Sequence, residues 1–201
     1  MMTDIDSLEI IRYFYPEETP LRRLLLKHSA QVRDKALAIL AQAAPELDSR
    51  LVAAGAMLHD IGILHCRAPK ILCVGTEPYI AHGVIGARML REYARTHGVE
   101  LEAYARICER HTGSGLTAEE VRRESLPIPA RDYLPETPEE KLICLADKFF
   151  SKSGDLREKP LERIRHSMLK FGPAPLARFD EMCALFNVSL RRMRPPSRFF
   201  E

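Results

Sequence analysis

Histidine and aspartate residues whose side chains can bind a metal ion recur at helical spacing along this chain of 201 residues. The most compact example is the stretch LHDIG at residues 58–62, in which His59 and Asp60 follow the apolar run LVAAGAM. A His-Asp pair is common by chance. Its meaning therefore depends on whether other residues of the same chemical type are predicted to face the same part of the core.

Four of the seven histidines share a helix face with apolar side chains three or four positions away, which predicts that they point inward. These inward histidines are His28, His59, His82 and His111. Asp147 shares a face with Ile143 and Phe150 in the same way. The other three histidines are predicted to lie in a loop or in solvent: His65, His97 and His166.

A lone inward histidine is more often a hydrogen-bonded core residue than a ligand, but this set, together with Asp60, would need a separate partner for each member. One shared divalent metal site satisfies imidazole nitrogens and carboxylate oxygens together. Because the set contains no thiolate, a structural zinc knuckle is disfavoured. Six ligands exceed the needs of one catalytic metal. We therefore predict two divalent transition metal ions, with iron as first choice and manganese, nickel, cobalt or zinc as alternatives, an arrangement suited to phosphate ester hydrolysis.

The elements that must position these residues are predicted to be helices throughout, so the expected fold class is an all-α bundle of eight or more helices. Apolar periodicity marks residues 5–14, 24–43, 51–59, 80–93, 101–111, 139–150, 161–169 and 176–188. No segment alternates apolar and polar residues for long enough to predict a strand.

Two long connections, residues 62–79 and 112–137, each follow a helix end that carries a histidine. Loops of such length in a compact helical domain are often functional, so both are predicted to border the active site. The length predicts a single domain over residues 1–201. Its motif core covers about 24–155, and residues 156–201 are expected to form C-terminal helices that pack on this core.

The net charge of +2 gives no electrostatic reason to expect nucleic acid or a membrane as the main partner. The N-terminal residues do not resemble a signal peptide, and no apolar run approaches the roughly 20 residues of a membrane span. Five scattered cysteines are expected to be buried thiols in a reducing cytoplasm. The arginines near the C-terminus are interpreted as a solvated tail (Arg191, Arg192, Arg194 and Arg198). A homodimer is left open.

Candidate substrate contacts lie beside the predicted ligands. Lys148 follows Asp147, and Ser151 is predicted one helical turn beyond it, with Lys152 one turn beyond Lys148. Thr112 opens a glycine-containing loop whose amides could bind a phosphate. Arg122 and Arg123 on the same connection are more simply interpreted as a solvated face.

The order His28, His59-Asp60, His82, His111, Asp147 resembles the HD-domain metal-dependent phosphohydrolase superfamily, in its HDIG-type branch with two metals. Two groups of that branch are the HD-GYP cyclic-di-GMP phosphodiesterases and the bacterial symmetrical diadenosine tetraphosphate hydrolases. The second is the closer match, through HGVIGA at 82–87, RHTG at 110–113 and LAD at 145–147. The resemblance covers roughly residues 24–155.

The resemblance implies that one metal is held by His28, His59 and Asp147, and the other by His82 and His111, with Asp60 bridging them. It further implies that a metal-bound hydroxide is the nucleophile, that Asp60 orients this water, and that the substrate is a small phosphorylated molecule such as a nucleotide or dinucleoside polyphosphate. The chain also departs from the HD-GYP pattern, because Ile63 replaces the lysine after HDIG and the Gly-Tyr-Pro motif is missing.

Two alternatives to a phosphohydrolase remain at this stage. The first is a non-catalytic module that keeps the metal site for stability or for ligand sensing. The second is a di-iron oxygenase of the same superfamily, which also uses histidine and aspartate ligands in this order.

Overall fold

The computed structural model describes residues 5–154 and 156–189, and within these ranges the chain is mainly helical, which confirms the predicted all-α class. The nine α-helices of this part of the chain are α1 Ser7–Phe14, α2 Pro20–Ala43, α3 Ser49–Leu58, α4 His82–His97, α5 Glu102–Arg110, α6 Ala118–Arg123, α7 Pro138–Lys148, α8 Leu161–Leu169 and α9 Pro173–Leu185. Three short strands are also present: β1 Cys66–Ala68, β2 Cys73–Val74 and β3 Glu77–Pro78.

Two of the described helices begin at proline preceded by a threonine cap. In α7 the side chain of Thr137 accepts a hydrogen bond from the amide of Glu140, and Glu140 bonds back to complete a capping box. Helix α2 begins at Pro20 behind the cap of Thr19, four residues before the predicted start at 24. Periodicity alone missed this beginning because proline interrupts an apolar pattern, although proline fits the first turn of a helix well.

The connection after α3 contains the strands that the sequence did not predict. They form one sheet in the order β2-β1-β3, with β1 antiparallel to β2 and parallel to β3. Strands of two or three residues are too short to show alternation, which explains the missed prediction. A Cβ atom on Gly75 would lie 2.2 Å from the backbone oxygen of His65, so only glycine allows the chain to turn back this closely.

The core consists of two clusters of buried side chains that meet along α2, α3 and α5. On α2, Leu25 belongs to the first cluster and Val32 to the second, with His28 between them. On α5, Ile107 and Cys108 are likewise divided between the second and first clusters. The inward histidines therefore lie along the seam between two apolar clusters, where they are shielded from water.

Helices α8 and α9 pack on the second cluster through Ile164, Met168 and Phe179. Arg178 of α9 also forms an ion pair with Glu120 of α6, at 2.8 Å. These contacts connect α8 and α9 to the preceding helices. The arginine-rich tail predicted near the C-terminus lies outside the described residues.

All five cysteines are free and buried, as predicted. Burial raises the pKa of the Cys66 thiol to about 12 and that of Cys144 to about 11, so these thiols stay protonated near neutral pH. In the described part of the chain, no helix has both the length and the apolar character needed to cross a bilayer.

Helices α4 and α5 approach each other closely at Gly83, where an added Cβ would lie 2.4 Å from the carbonyl oxygen of Cys108. We expect Gly83→Ala to lower the free energy of unfolding by about 1–3 kcal/mol, because overpacking against backbone cannot be relieved by a rotamer change. This loss outweighs the roughly 1 kcal/mol that alanine gains over glycine in a helix. Urea denaturation measures the change.

The control for this substitution is Arg88→Ala, at an exposed position of the same helix, where a change within about 0.5 kcal/mol is expected. An equal or higher denaturation midpoint for Gly83→Ala than for the wild type would contradict the close approach of the two helices.

Candidate metal centre

The structure brings together the six side chains that the sequence predicted as metal ligands. They come from five places along the chain: His28 from α2, His59 and Asp60 from directly after α3, His82 from the start of α4, His111 from the residue after α5, and Asp147 from α7. All six are buried, with exposed fractions between 0% and 7%. Their burial agrees with the inward orientation predicted for the four histidines and Asp147.

Their donor atoms fall into two groups that share one carboxylate, Asp60. The first group contains His28, His59, Asp60 and Asp147, and the second contains Asp60, His82 and His111. Oδ2 of Asp60 lies 3.2 Å from Nε2 of His28 and 3.2 Å from Nε2 of His59. Oδ1 lies 3.4 Å from Nε2 of His82 and 3.4 Å from Nε2 of His111. Each oxygen thus faces one group.

Three of the four histidines are oriented by the same local hydrogen bond. Nδ1 of His59 lies 2.7 Å from the carbonyl oxygen of Ala56, which stands three residues earlier. His82 and His111 make the equivalent contacts at 2.6 Å to the carbonyls of Tyr79 and Cys108. Since a carbonyl can only accept, Nδ1 carries a proton, so in the neutral ring it is Nε2 that keeps a lone pair directed into the site, as a metal ligand requires.

Several of these buried atoms lack an ordinary partner. Among the described residues, Nε2 of His59 and Oδ1 of Asp60 have no hydrogen bond of good geometry. Nε2 of His82 lies 3.0 Å from Nε2 of His111, although both nitrogens are acceptors if both Nδ1 atoms carry protons. Buried acceptors that face one another are costly unless a cation lies between them. The donor set therefore fits divalent metal ions.

The electrostatics of the site favour a neutral His82 and ionised Asp60 and Asp147, but a protonated His59. Burial lowers the pKa of His82 to about 3, with a neighbouring imidazole adding to the effect, so this ring is neutral. Burial also disfavours protonated His59, but the charges of Asp60 and Asp147 prevail and raise its pKa to about 9. Both carboxyl groups are desolvated, yet Lys152 and the other nearby positive charges hold their pKa values well below the usual range.

Lys148 and Lys152 do not lie one turn apart on a continuous helix. Helix α7 ends at Lys148, so the predicted one-turn spacing to Ser151 and Lys152 is wrong. Lys148 Nζ donates a hydrogen bond to the carbonyl of His111 at 3.1 Å and lies 2.6 Å from Asp147 Oδ2. The ammonium of Lys148, predicted to bind substrate, is thus already in contact with protein atoms.

Lys152 is the residue that the sequence argument undervalued, because its Nζ lies 2.5 Å from Oδ2 of Asp60. The side chain is largely enclosed, with 11% of it exposed. Lys152 lies in the loop after α7, where the direction of a side chain does not follow the helical repeat. Apolar periodicity therefore could not predict that this lysine turns toward the carboxylate of Asp60.

Two cavities border the site. One, of about 290 Å³, is lined by Asp147, Lys148, Ser151 and Lys152 among others. The other, of about 410 Å³, is lined by Thr112, the residue after His111, and by residues of α6 and of the α8–α9 turn. Ser151 and Thr112, both predicted as substrate contacts, therefore line different cavities, of which the smaller also contains the predicted ligand Asp147.

Arg122 and Arg123 are exposed, as interpreted from the sequence, and Arg123 lies at the edge of the larger cavity. Another arginine was missed: Arg91 of α4 forms an ion pair with the buried carboxylate of Glu109, at 3.0 Å. Arg131 pairs with Glu109 at 2.9 Å. These contacts connect α4 and the long second connection to α5, two residues before His111.

Comparison with known protein families gives a match to the HD domain, over residues 25–151. No solved structure matches the chain significantly.

Three curated relatives are similar to parts of the chain. A tRNA (cytidine(56)-2'-O)-methyltransferase of Picrophilus torridus is 39% identical over 114 residues, which are 57% of this chain and 28% of that protein. The protein of the same name from Thermoplasma volcanium is 35% identical over 148 residues, 74% of this chain and 37% of that protein. An uncharacterised protein of Methanocaldococcus jannaschii is 42% identical over 102 residues, 51% of this chain and 50% of that protein. The matches thus span at most half the length of these relatives.

Proposed function

Because this chain belongs to the HD domain family, we propose that it is a metal-dependent phosphohydrolase, which cleaves a phosphate ester or anhydride of a small phosphorylated molecule such as a nucleotide. The observation that carries the proposal is the division of six buried donors into two groups that share Asp60. Two adjacent sites joined by one carboxylate are typical of centres that catalyse phosphoryl transfer to water.

In this proposal His28, His59 and Asp147 would hold one divalent ion and His82 and His111 the other, with Asp60 available to both groups. Ions bound there would supply Lewis-acid stabilisation of phosphoryl oxygens and activation of a water molecule. The protein orients His59, His82 and His111 through the carbonyl contacts of Nδ1 and excludes bulk water by burial. Asp60, whose two oxygens face the two groups, orients the attacking water.

The two cavities suggest how a substrate is placed. The smaller cavity is cationic and borders Asp147, so it suits phosphate groups. The larger one has apolar side chains in its wall, among them Ile80, Leu116 and Leu126, and suits an uncharged organic group such as a nucleoside base. The specific assignment to symmetrical diadenosine tetraphosphate hydrolysis remains a prediction that follows from the sequence resemblance alone.

A second candidate function is a metal-binding module without catalysis of its own. It is favoured by one observation: the matched region makes up only 28% and 37% of two relatives that are named for methyl transfer to tRNA. In those proteins an HD-like region accompanies additional sequence, and it can serve there as an accessory part. We rank this candidate second because all six ligand-type residues are retained and buried here.

Metal analysis and a substrate panel separate the two candidates. Protein purified without oxygen should contain more than one transition metal ion per chain. It should release phosphate or a nucleotide product from at least one member of a panel of nucleotides, dinucleoside polyphosphates and phosphate monoesters. A chelator should abolish the activity, and iron, manganese, cobalt or nickel should restore it, because the donor set binds no substrate oxygen by itself.

Bound metal with no turnover of any panel member would favour the accessory module. Less than one metal ion per chain, with no activity after reconstitution, would contradict both candidates.

A further inference from the structure

The cavity of about 290 Å³ beside Asp147, which we call the lysine cavity, has an unusual charge composition. Its wall contains the three lysines Lys148, Lys152 and Lys159 and the two serines Ser151 and Ser153, but Asp147 is the one carboxylate among its described lining residues. Tyr79, whose ring stacks on His82, forms part of the same wall. The cavity therefore opens directly onto the candidate metal centre.

The backbone after α7 is held so that Lys159 returns to this cavity. The amide of Lys159 donates to the carbonyl of Phe149 at 2.8 Å, which closes the loop on itself. Gln31 of α2 donates to the carbonyl of Leu156 at 2.8 Å, and Lys35 forms an ion pair with Glu158 at 2.6 Å. Several contacts from α2 thus fix a loop that presents lysines from both of its ends.

The three ammonium groups are not equivalent. Lys148 is in contact with Asp147, and Lys152 with Asp60. Lys159, which is partly buried, forms no ion pair with a carboxylate of residues 5–154 or 156–189. Burial lowers its pKa, Asp147 opposes this change, and the positive charges of Lys148 and Lys152 lower the pKa further. An unpaired ammonium beside two others is stabilised by a bound anion.

Lysine ammonium groups and serine hydroxyls together match the oxygens of a phosphate group, which accept hydrogen bonds on all sides. The cavity also adjoins the centre where, in the proposed function, the reacting phosphoryl group lies. Building on that function, we propose that the lysine cavity is a second phosphate-binding subsite and that the substrate carries at least two linked phosphate groups. The bond cleaved is then a phosphoanhydride or an ester of a polyphosphorylated compound, rather than a single phosphate monoester.

The subsite can be tested by the binding of inorganic pyrophosphate and orthophosphate to the full chain, measured by titration calorimetry without turnover. Pyrophosphate should bind more tightly than orthophosphate. Lys159→Met should weaken pyrophosphate binding by about tenfold or more, the effect of losing one charge-assisted contact. Lys159→Arg keeps the charge and should retain most of the affinity. Lys27→Met, which removes an exposed lysine of α2, should leave it unchanged.

The metal content of each sample is measured before and after titration, so that extraction of metal by pyrophosphate is not counted as binding. Equal pyrophosphate affinity in Lys159→Met and in the wild type would overturn the subsite, as would a loss in Lys27→Met as large as that in Lys159→Met. Pyrophosphate binding that depends on Lys159 in a protein without hydrolytic activity would support the anion subsite while the proposed function fails. Hydrolysis of monoesters alone, with no preference for pyrophosphate, would leave the proposed function standing and overturn this inference.

Discussion

Replacement of Asp60 by asparagine should reduce hydrolysis by at least about a thousandfold, which corresponds to roughly 4 kcal/mol in the activation barrier. The reason is that both donor groups depend on this residue, one through Oδ2 and the other through Oδ1. An amide removes a negative charge and turns one acceptor into a donor that points at a cation. Metal content by mass spectrometry should fall in parallel with activity.

Asp34→Asn is the matched control, since Asp34 is an exposed carboxylate of α2 that pairs only with its neighbour Arg33 among the contacts in the described chain. It should keep full activity and full metal content. If Asp60→Asn retained both metal ions and a tenth or more of the activity, the role of Asp60 as the shared ligand would be wrong.

Substitution of His82 by alanine should remove one metal ion and most of the activity while the fold is kept. The second donor group offers only His82 and His111 besides Asp60, so the loss of one imidazole leaves that group with too few ligands for tight binding. The first group keeps all of its donors. We therefore expect the metal content to fall from about two ions per chain to about one, with an unchanged helical circular dichroism spectrum.

His166→Ala, at an exposed position of α8, removes a histidine far along the chain from the predicted ligands and should change neither quantity. Retention of both ions in His82→Ala would show that His82 is not a ligand. Loss of both ions would show that the two groups do not bind independently.

The inward orientation of the predicted ligands could be inferred from the sequence because most of them lie on, or directly after, a helix with a clear apolar face. His28 and Asp147, for example, are 119 positions apart, yet each could be placed by its own neighbours, and the two side chains meet at 2.9 Å. Such local information suffices when the core is formed by inward helix faces. The all-α class follows from the same periodicity.

Features that depend on loops were not accessible in this way. The position of Lys152 against Asp60 depends on where α7 ends and on how contacts with α2 hold the following loop. Helical periodicity predicts neither of these features. The small sheet after α3 depends on backbone pairing between segments of two or three residues, which leave no pattern. The charge of the lysine cavity likewise arises from residues at both ends of one loop, so only the three-dimensional structure shows it.

In His59 and His111, Nδ1 contacts a carbonyl three residues earlier. This contact limits where residues can be inserted into the chain or removed from it. Because His59 and His111 directly follow the ends of α3 and α5, each imidazole uses an acceptor in the last turn of its own helix. One residue added to or removed from either helix would rotate the histidine by about 100° relative to the preceding turns. Insertions are therefore compatible with the connecting loops. Helices α3 and α5, by contrast, must keep their lengths if His59 and His111 are to point into the site.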